Sequence, residues 1–495
     1  MKKPLLISLG LVLALLVAAQ DGRLRAAATP GSKGCYDPAD YGAIPNDGIS
    51  DQVPAQKALD DASAGGGRVC FGAGVWTLTR APVGSYNHVA ALSTHGQHVE
   101  ISGEGSSTVL SVGGDQHAAS TFVISIDPGA SDIRLRDFVI DTSGMTNTDE
   151  QTHAIEIGSA VCKIASGTCS MPIVDVSVER VRFVHPKLPG FRKGDCVRLL
   201  GENEATQVLR VKIIDNAFIN CARSDVGIQR NVNSLTIMGN HFASPDADQH
   251  IDGEPTGGQG DQRIEIIGNT FDSPTTTQGD FAVALTSYKG AVISGNIFNG
   301  RGLSLYRSTD SAVADNVFDA TYKSEYGVIE VANVADRTVI ANNVIYRRGA
   351  AGAGIRITPH SGGMPSEVHV TDNSITNTTD GLGIDTESPQ DITIANNSIL
   401  FPTPTAKAMG IMLRSTVRPI DGIMIANNRI VGALFAGVRL AAAPHPFVGV
   451  TLTGNQVRGS SFGLRCDGAG GFQPIISTGN TWGPTSCVVP MTAGQ

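Results

Sequence analysis

Two carboxylates separated by a single glycine, Asp252 and Glu254 in DQHIDGEPTGG, are the residues whose types and spacing best suit a reaction. On an extended strand side chains alternate, so both project from one face with their bases roughly 6.5–7 Å apart. That is near the lower end of the spacing at which one carboxylic acid protonates a leaving glycosidic oxygen while the other activates water. His250 stands just before the pair and is a third candidate for proton transfer. The bland alternative is a solvated face, with both carboxylates paired to Arg198 and Arg230. A second copy of the pattern, Asp385 and Glu387 in GIDTESP, lies between Arg356 and Arg414, and neutralisation by those arginines accounts for it.

What must position these groups is a repeat. Asparagine followed two residues later by an apolar residue recurs at Asn216, Asn240, Asn269, Asn296, Asn316, Asn343, Asn373, Asn397, Asn428, Asn455 and Asn480, with gaps of 20 to 31 residues. A period of that size with short strand-type alternation in each unit reads as a solenoid, one coil per repeat. The asparagines are expected at tight turns that this residue tolerates, with their amides stacked coil on coil.

A second register follows in each repeat, from HAIEIG at 153 to GLRCDG at 463. Turning its apolar members inward places Glu156, Arg198, Gln229, Asp252, Ala284, Ser304, Ile329, Arg356, Asp385, Met412, Arg439 and Arg465 in one outer stripe. Neighbours in that stripe are about 4.8 Å apart. The coils flanking Asp252 then supply Arg198, Gln229 and Arg230 on one side and Tyr306 and Arg307 on the other as substrate-binding candidates. The same groove admits uronate chemistry, with Arg198, Arg230 or Arg307 neutralising a substrate carboxylate and His250, Lys289 or Tyr306 as base. A third reading is a glycan-binding or surface-structural protein without catalysis. Asp225, Asp248 and Asp280 recur before the strands, as turn caps or as oxygen ligands for calcium. His153 reads as a hydrogen-bonded turn residue beside Glu156.

At the other end of the chain, DYGA, then DG, AQKALDDA and GGGRVCFGAGVWTL between residues 40 and 78, with ISGEGSSTVL at 101–110, resemble the opening of the pectate-lyase-like superfamily. That resemblance implies a single-stranded right-handed parallel β-helix whose first coil is covered by a short capping helix. It is specific for fold and weakly informative about chemistry, since members include lyases, hydrolases, epimerases and phage spikes. IDGEP also resembles a stretch written roughly GIDIEP on a central coil of many superfamily members. Two departures stand out. The chain has neither the paired-aspartate and RIK pattern of polygalacturonases nor a DPHD or DPHE element like that of mannuronan epimerases. In the capping helix, Asp51 is the expected N-cap and Pro54 falls in the first turn.

Composition agrees with many short strands: the 495 residues include 58 glycines, and only 5% are aromatic. A net charge of −9 argues against nucleic acid as partner, because phosphate neutralisation needs a dominant basic surface. Residues 1–28 read as a signal peptide, with Lys2 and Lys3 before an apolar run from Leu5 to Ala19. A lead-in at 29–35 precedes one β-helix domain over 36–495, with 36–110 as cap and first coils and 462–495 as the C-terminal cap. Secretion or residence in the periplasm follows, with no membrane contact after signal cleavage, a monomeric state, and a polysaccharide as partner. Eight cysteines then become disulfide candidates. Proximity pairs Cys162 with Cys169 and Cys466 with Cys487, and leaves Cys35 with Cys70 and Cys196 with Cys221.

Overall fold

The computed structural model describes residues 34–492 apart from 80, 83–87, 115–119, 147–150, 159–169, 185–193, 246, 255–261, 274–280, 322–325, 349–351, 361–362, 379–380, 404 and 488–490. The signal-peptide segment therefore lies outside the described residues, as do Asp280 and the Cys162–Cys169 pair.

Short strands stack into three long sheets of 17, 14 and 16 strands. Each coil contributes one strand to each sheet in turn. The chain runs, for example, from Val208–Ile214 in the first sheet to Ala217–Ile219 in the second and Ser224–Gln229 in the third. Pairing is parallel throughout apart from Ala81–Pro82 against His88–Thr94. Parallel strands joined by crossovers of one hand make this the right-handed parallel β-helix expected from the resemblance.

The core is a column of stacked apolar side chains. In the second sheet Phe183, Phe218, Phe242, Phe271, Phe298 and Phe318 lie ring over ring with centroids 4.5–4.8 Å apart. From the second coil on, these phenylalanines are the apolar residues two positions after Asn216, Asn240, Asn269, Asn296 and Asn316.

The asparagines form the continuous ladder that their period predicts. The side-chain carbonyl of each accepts from the backbone N–H and the amide nitrogen of the asparagine one coil earlier, for example at 3.0 and 2.9 Å from Asn343 to Asn373. The same bonds link Asn216 to Asn240 and Asn455 to Asn480 at the two ends. The left-handed turn residue, however, is the one before each asparagine: Asp215, Gly239, Gly268, Gly295, Asp315, Asn342, Asp372, Asn396, Asn427, Gly454 and Gly479 all have φ between 54° and 66°. Those are the residue types that reach this region at least cost. It leaves the ladder asparagine free to turn its amide inward.

The helix α1, Gln52–Gly65, covers the open end of the first coil with Gln52, Ala55, Ala58, Leu59 and Ala62 buried. Gln56 behaves as a missing strand, donating to Ser93 O and accepting from Ser93 N at 2.9 Å each. Asp51 occupies the N-cap position, but its carboxylate accepts from Ile44 N and Thr77 N and makes no bond to the helix. Three disulfides join Cys35 to Cys70, Cys196 to Cys221 and Cys466 to Cys487. The third ties Phe462–Asp467 to the residue after Thr485–Ser486, the last strand of the third sheet.

Candidate functional site

The third sheet differs from the other two in what covers it. First-sheet strands such as Ile173–Glu179 alternate between buried and more exposed positions, whereas Thr152–Gly158, Asp195–Leu200 and Gly327–Ala332 are buried at every residue. An outer face that is itself enclosed brings polar groups into a medium where charge is costly.

Strand register defines the outer row as Glu156, Arg198, Gly227, Asp252, Ala284, Ser304, Glu330, Arg356, Asp385, Met412, Arg439 and Arg465. Two expected members are corrected. Gln229 pairs with Leu200, so Gly227 holds its place. Ile329 points into the core, fully buried, and Glu330 is the outward residue. Ile329 belongs to a segment whose apolar residues fit either alternation, whereas Gln229 is on the right face but two residues further along the strand.

Around Asp252 the row is bare. Its neighbours one coil away are Gly227 and Ala284, so no cation flanks it in the row. Glycine at 227 is required, because a Cβ would come within 2.5 Å of an Asp195 carboxylate oxygen. Burial, helped by the charge of Glu254, pushes the Asp252 carboxyl up to about 7. Glu254 is exposed, just past the strand Gln249–Gly253, and its N–H donates to Ile228 O at 3.0 Å.

Upstream, Glu156 is fully buried and its carboxyl is likewise raised to about 7 by burial, against the opposing pull of Arg198 with Nε 3.8 Å away. Arg198 also donates to Gln151 Oε1 and, at 2.8 Å, to Gln229 Oε1. His153 is buried, accepting from Asp195 N at 3.0 Å, and burial lowers its ring to about 3. Beneath them Asp195 is ionised despite its burial, because its ion pair with Arg223 outweighs the desolvation.

The expected proton carrier His250 does not join this face. Its ring is enclosed in the core between Phe242 and Phe271, with Nδ1 on Asp225 and Nε2 on Ser273 Oγ. Burial lowers its pKa. Asp225 is likewise committed, to Ser244 Oγ and His250, which is the turn-bonding role and not a calcium ligand set. Among the described residues no group of three or more His, Cys, Asp or Glu side chains is arranged to hold a metal ion. Arg230 lies 3.4 Å from Glu202. Lys289 is exposed at the turn after Phe281–Thr286.

Tyr306 and Arg307 belong elsewhere. Arg307 lies over the Tyr306 ring, and that ring meets His360 edge-on at 5.9 Å. They adjoin a cavity of about 450 Å³ lined by Tyr326, Glu330, Arg356, Thr358, His360, Leu382, Asp385 and Arg414. Here Asp385 accepts from Arg414 at 2.6 Å and lies 3.8 Å from Arg356 Nε. Of the lining residues, Tyr326, Glu330, Thr358, His360 and Leu382 were not singled out in the sequence. Only Glu330 left a signal, as the acidic residue in GVIEVA that the outward assignment of Ile329 had displaced.

Comparison with known proteins adds the following. No curated protein matches the chain. Among solved structures, the A-module of a mannuronan C-5 epimerase from Azotobacter vinelandii is 16% identical, over 87% of this chain and 97% of that one, with a TM-score of 0.40. A GH87 α-1,3-glucanase catalytic unit from Streptomyces thermodiastaticus is 14% identical, over 92% and 70%, with a TM-score of 0.40. The Dettilon tailspike protein is 10% identical, over 89% and 68%, at 0.46. At such values a shared activity does not follow. The family described as periplasmic copper-binding protein (NosD) matches residues 248–403, a central run of coils that includes both the Asp252 and the Asp385 strands.

Proposed function

We propose that the chain is an exported, polysaccharide-active enzyme that hydrolyses a glycosidic bond on the outer face of the third sheet, with Asp252 as general acid and Glu254 as general base. The observation that carries this reading is the carboxyl of Asp252, held at about 7 by burial and by the charge of Glu254, two residues further along the chain. A protonated acid beside an exposed carboxylate is the division of labour that glycoside hydrolysis needs. Hydrolysis is favoured over uronate elimination because Arg198, the nearest cation in the row, already serves Glu156, Gln151 and Gln229. The three disulfides fit an oxidising compartment, in line with secretion or the periplasm.

Copper does not enter this reading. Residues 248–403 contain no cysteine, one methionine, Met364, and three histidines, His250, His360 and His369. Soft copper sites draw on those residue types. His250 is enclosed in the core, and His369 lies on a first-sheet strand, away from His360.

The test is to incubate the mature protein with neutral and acidic polysaccharides while following reducing ends and the near-ultraviolet absorbance of unsaturated products together. New reducing ends without absorbance are expected. Absorbance would transfer the assignment to a lyase, and silence on both readouts would leave glycan binding without cleavage.

A further inference from the structure

The cavity over Glu330, Arg356 and Asp385 spans the third to fifth coils beyond Asp252, about 14 to 24 Å along the sheet at strand spacing. It is therefore separate from the proposed reactive pair. Its volume of about 450 Å³ falls in the range of ~300–1,000 Å³ typical of small-ligand sites.

Asp385 is 4% exposed, and its Oδ1 has no hydrogen-bond partner among the described residues. Arg414 Nε is buried without a partner as well. Both atoms lie behind the surface of the cavity wall, with no accessible area of their own. The chemistry of the lining says what the cavity suits. Arg356 and Arg414 are balanced by Glu330 and Asp385, and Glu387 lies 4.0 Å from Arg414. An anionic ligand would bring another negative charge among these carboxylates and compete with Asp385 for both guanidinium groups. A cation would meet two arginines. A neutral molecule whose hydroxyls both donate and accept can bond to carboxylate and guanidinium edges without disturbing the ion pairs. Tyr326 and His360 add aromatic edges suited to the apolar face of a sugar ring.

We infer that this cavity is a binding subsite for a neutral sugar residue of a glycan, its hydroxyls bonding to the charged edges of the wall and its apolar face resting on Tyr326 and His360. The inference rests on reading the third sheet as glycan-binding, but it does not need Asp252 to be catalytic.

The test is calorimetric titration of the mature Asp252→Asn protein, so that no ligand is consumed, with cellohexaose, laminarihexaose, mannohexaose and hexagalacturonate. At least one neutral hexaose is expected to bind and hexagalacturonate to bind at least about tenfold more weakly. Leu382→Trp, which fills the cavity without touching a charge, and Asp385→Asn are each expected to weaken neutral binding about tenfold or more. Thermal unfolding of each variant checks that it is folded. Binding that survives Leu382→Trp in a folded protein, preference for hexagalacturonate, or no binding by any neutral hexaose would overturn the subsite. Loss of turnover in wild-type protein with neutral binding intact would instead overturn only the hydrolase reading.

Discussion

Asp252-Gly-Glu254 and Asp385-Thr-Glu387 are the same motif on the same sheet, yet they sit in opposite electrostatic settings. Asp252 has Gly227 and Ala284 on either side, so burial and Glu254 both act to protonate it. Asp385 has Arg356 beside it in the row and Arg414 at 2.6 Å, so burial still raises its carboxyl but two cations oppose the shift. The comparison teaches that a carboxylate pair gains or loses acid character from residues a whole coil away in sequence. One pair is left to move a proton and the other is built into a charged wall.

The largest expected effect breaks the comparison outright. Asp252→Asn is expected to lower turnover by about 10²–10⁴-fold and to abolish the basic limb of the pH profile, which should fall as pH rises through about 7 when the acid ionises. Reducing-end assays across pH on both proteins measure it.

Stability against pH is the next contrast. Since the folded carboxyl of Asp252 sits at about 7 and its ordinary value is 3.8, its contribution is fully present below about pH 4 and is lost as pH rises through about 7. Wild-type protein is expected to lose up to about 4 kcal/mol more than Asp252→Asn between those limits. Urea unfolding at pH 4 and pH 8 measures the difference, and the comparison with the variant removes the parallel contribution of Glu156.

Removing one partner at the downstream pair should act at all neutral pH values. Arg414→Met leaves Asp385 buried with only Arg356 nearby, 3.8 Å away, and is expected to cost about 3 kcal/mol. Denaturant unfolding of the variant at pH 7 reads it directly. An effect near zero would mean that Arg356 alone satisfies the charge.

The smallest effect converts one setting into the other. Ala284→Arg puts a cation one coil from Asp252, as Arg356 is from Asp385. It should lower the Asp252 carboxyl by about one to three pH units and move the basic limb of the activity profile down by the same amount. An unmoved limb would mean that the group titrating there is not Asp252.

Much of the fold was legible along the chain. The asparagine period, the glycine-rich opening and the helix at Gln52–Gly65 all depend on residues close in sequence, and the structure carries them as read. Three of the four cysteine pairings were legible too, because each joins positions about one coil apart. The left-handed residue was misplaced by one because Asp, Gly and Asn all tolerate that conformation, and either position satisfies the local pattern. Ile329 was misaligned because a one-residue slip exchanges the two faces of a strand, whereas Gln229 shares the face of Gly227 and was set two residues too far along; only pairing with the next coil resolves either. His250 was expected to act beside the carboxylate pair, and only the Asp225 and Ser273 partners from neighbouring coils explain why its ring is enclosed in the core.

The sequence by itself therefore determined the architecture, because a coil repeats a local program of strand, turn and asparagine that each segment carries. Only the tertiary structure decided which carboxylates meet cations, which histidine is enclosed and where a cavity opens. Those outcomes depend on residues some 20 to 31 positions apart in the chain that coil stacking brings to about 4.8 Å, and charge interactions follow distance in space.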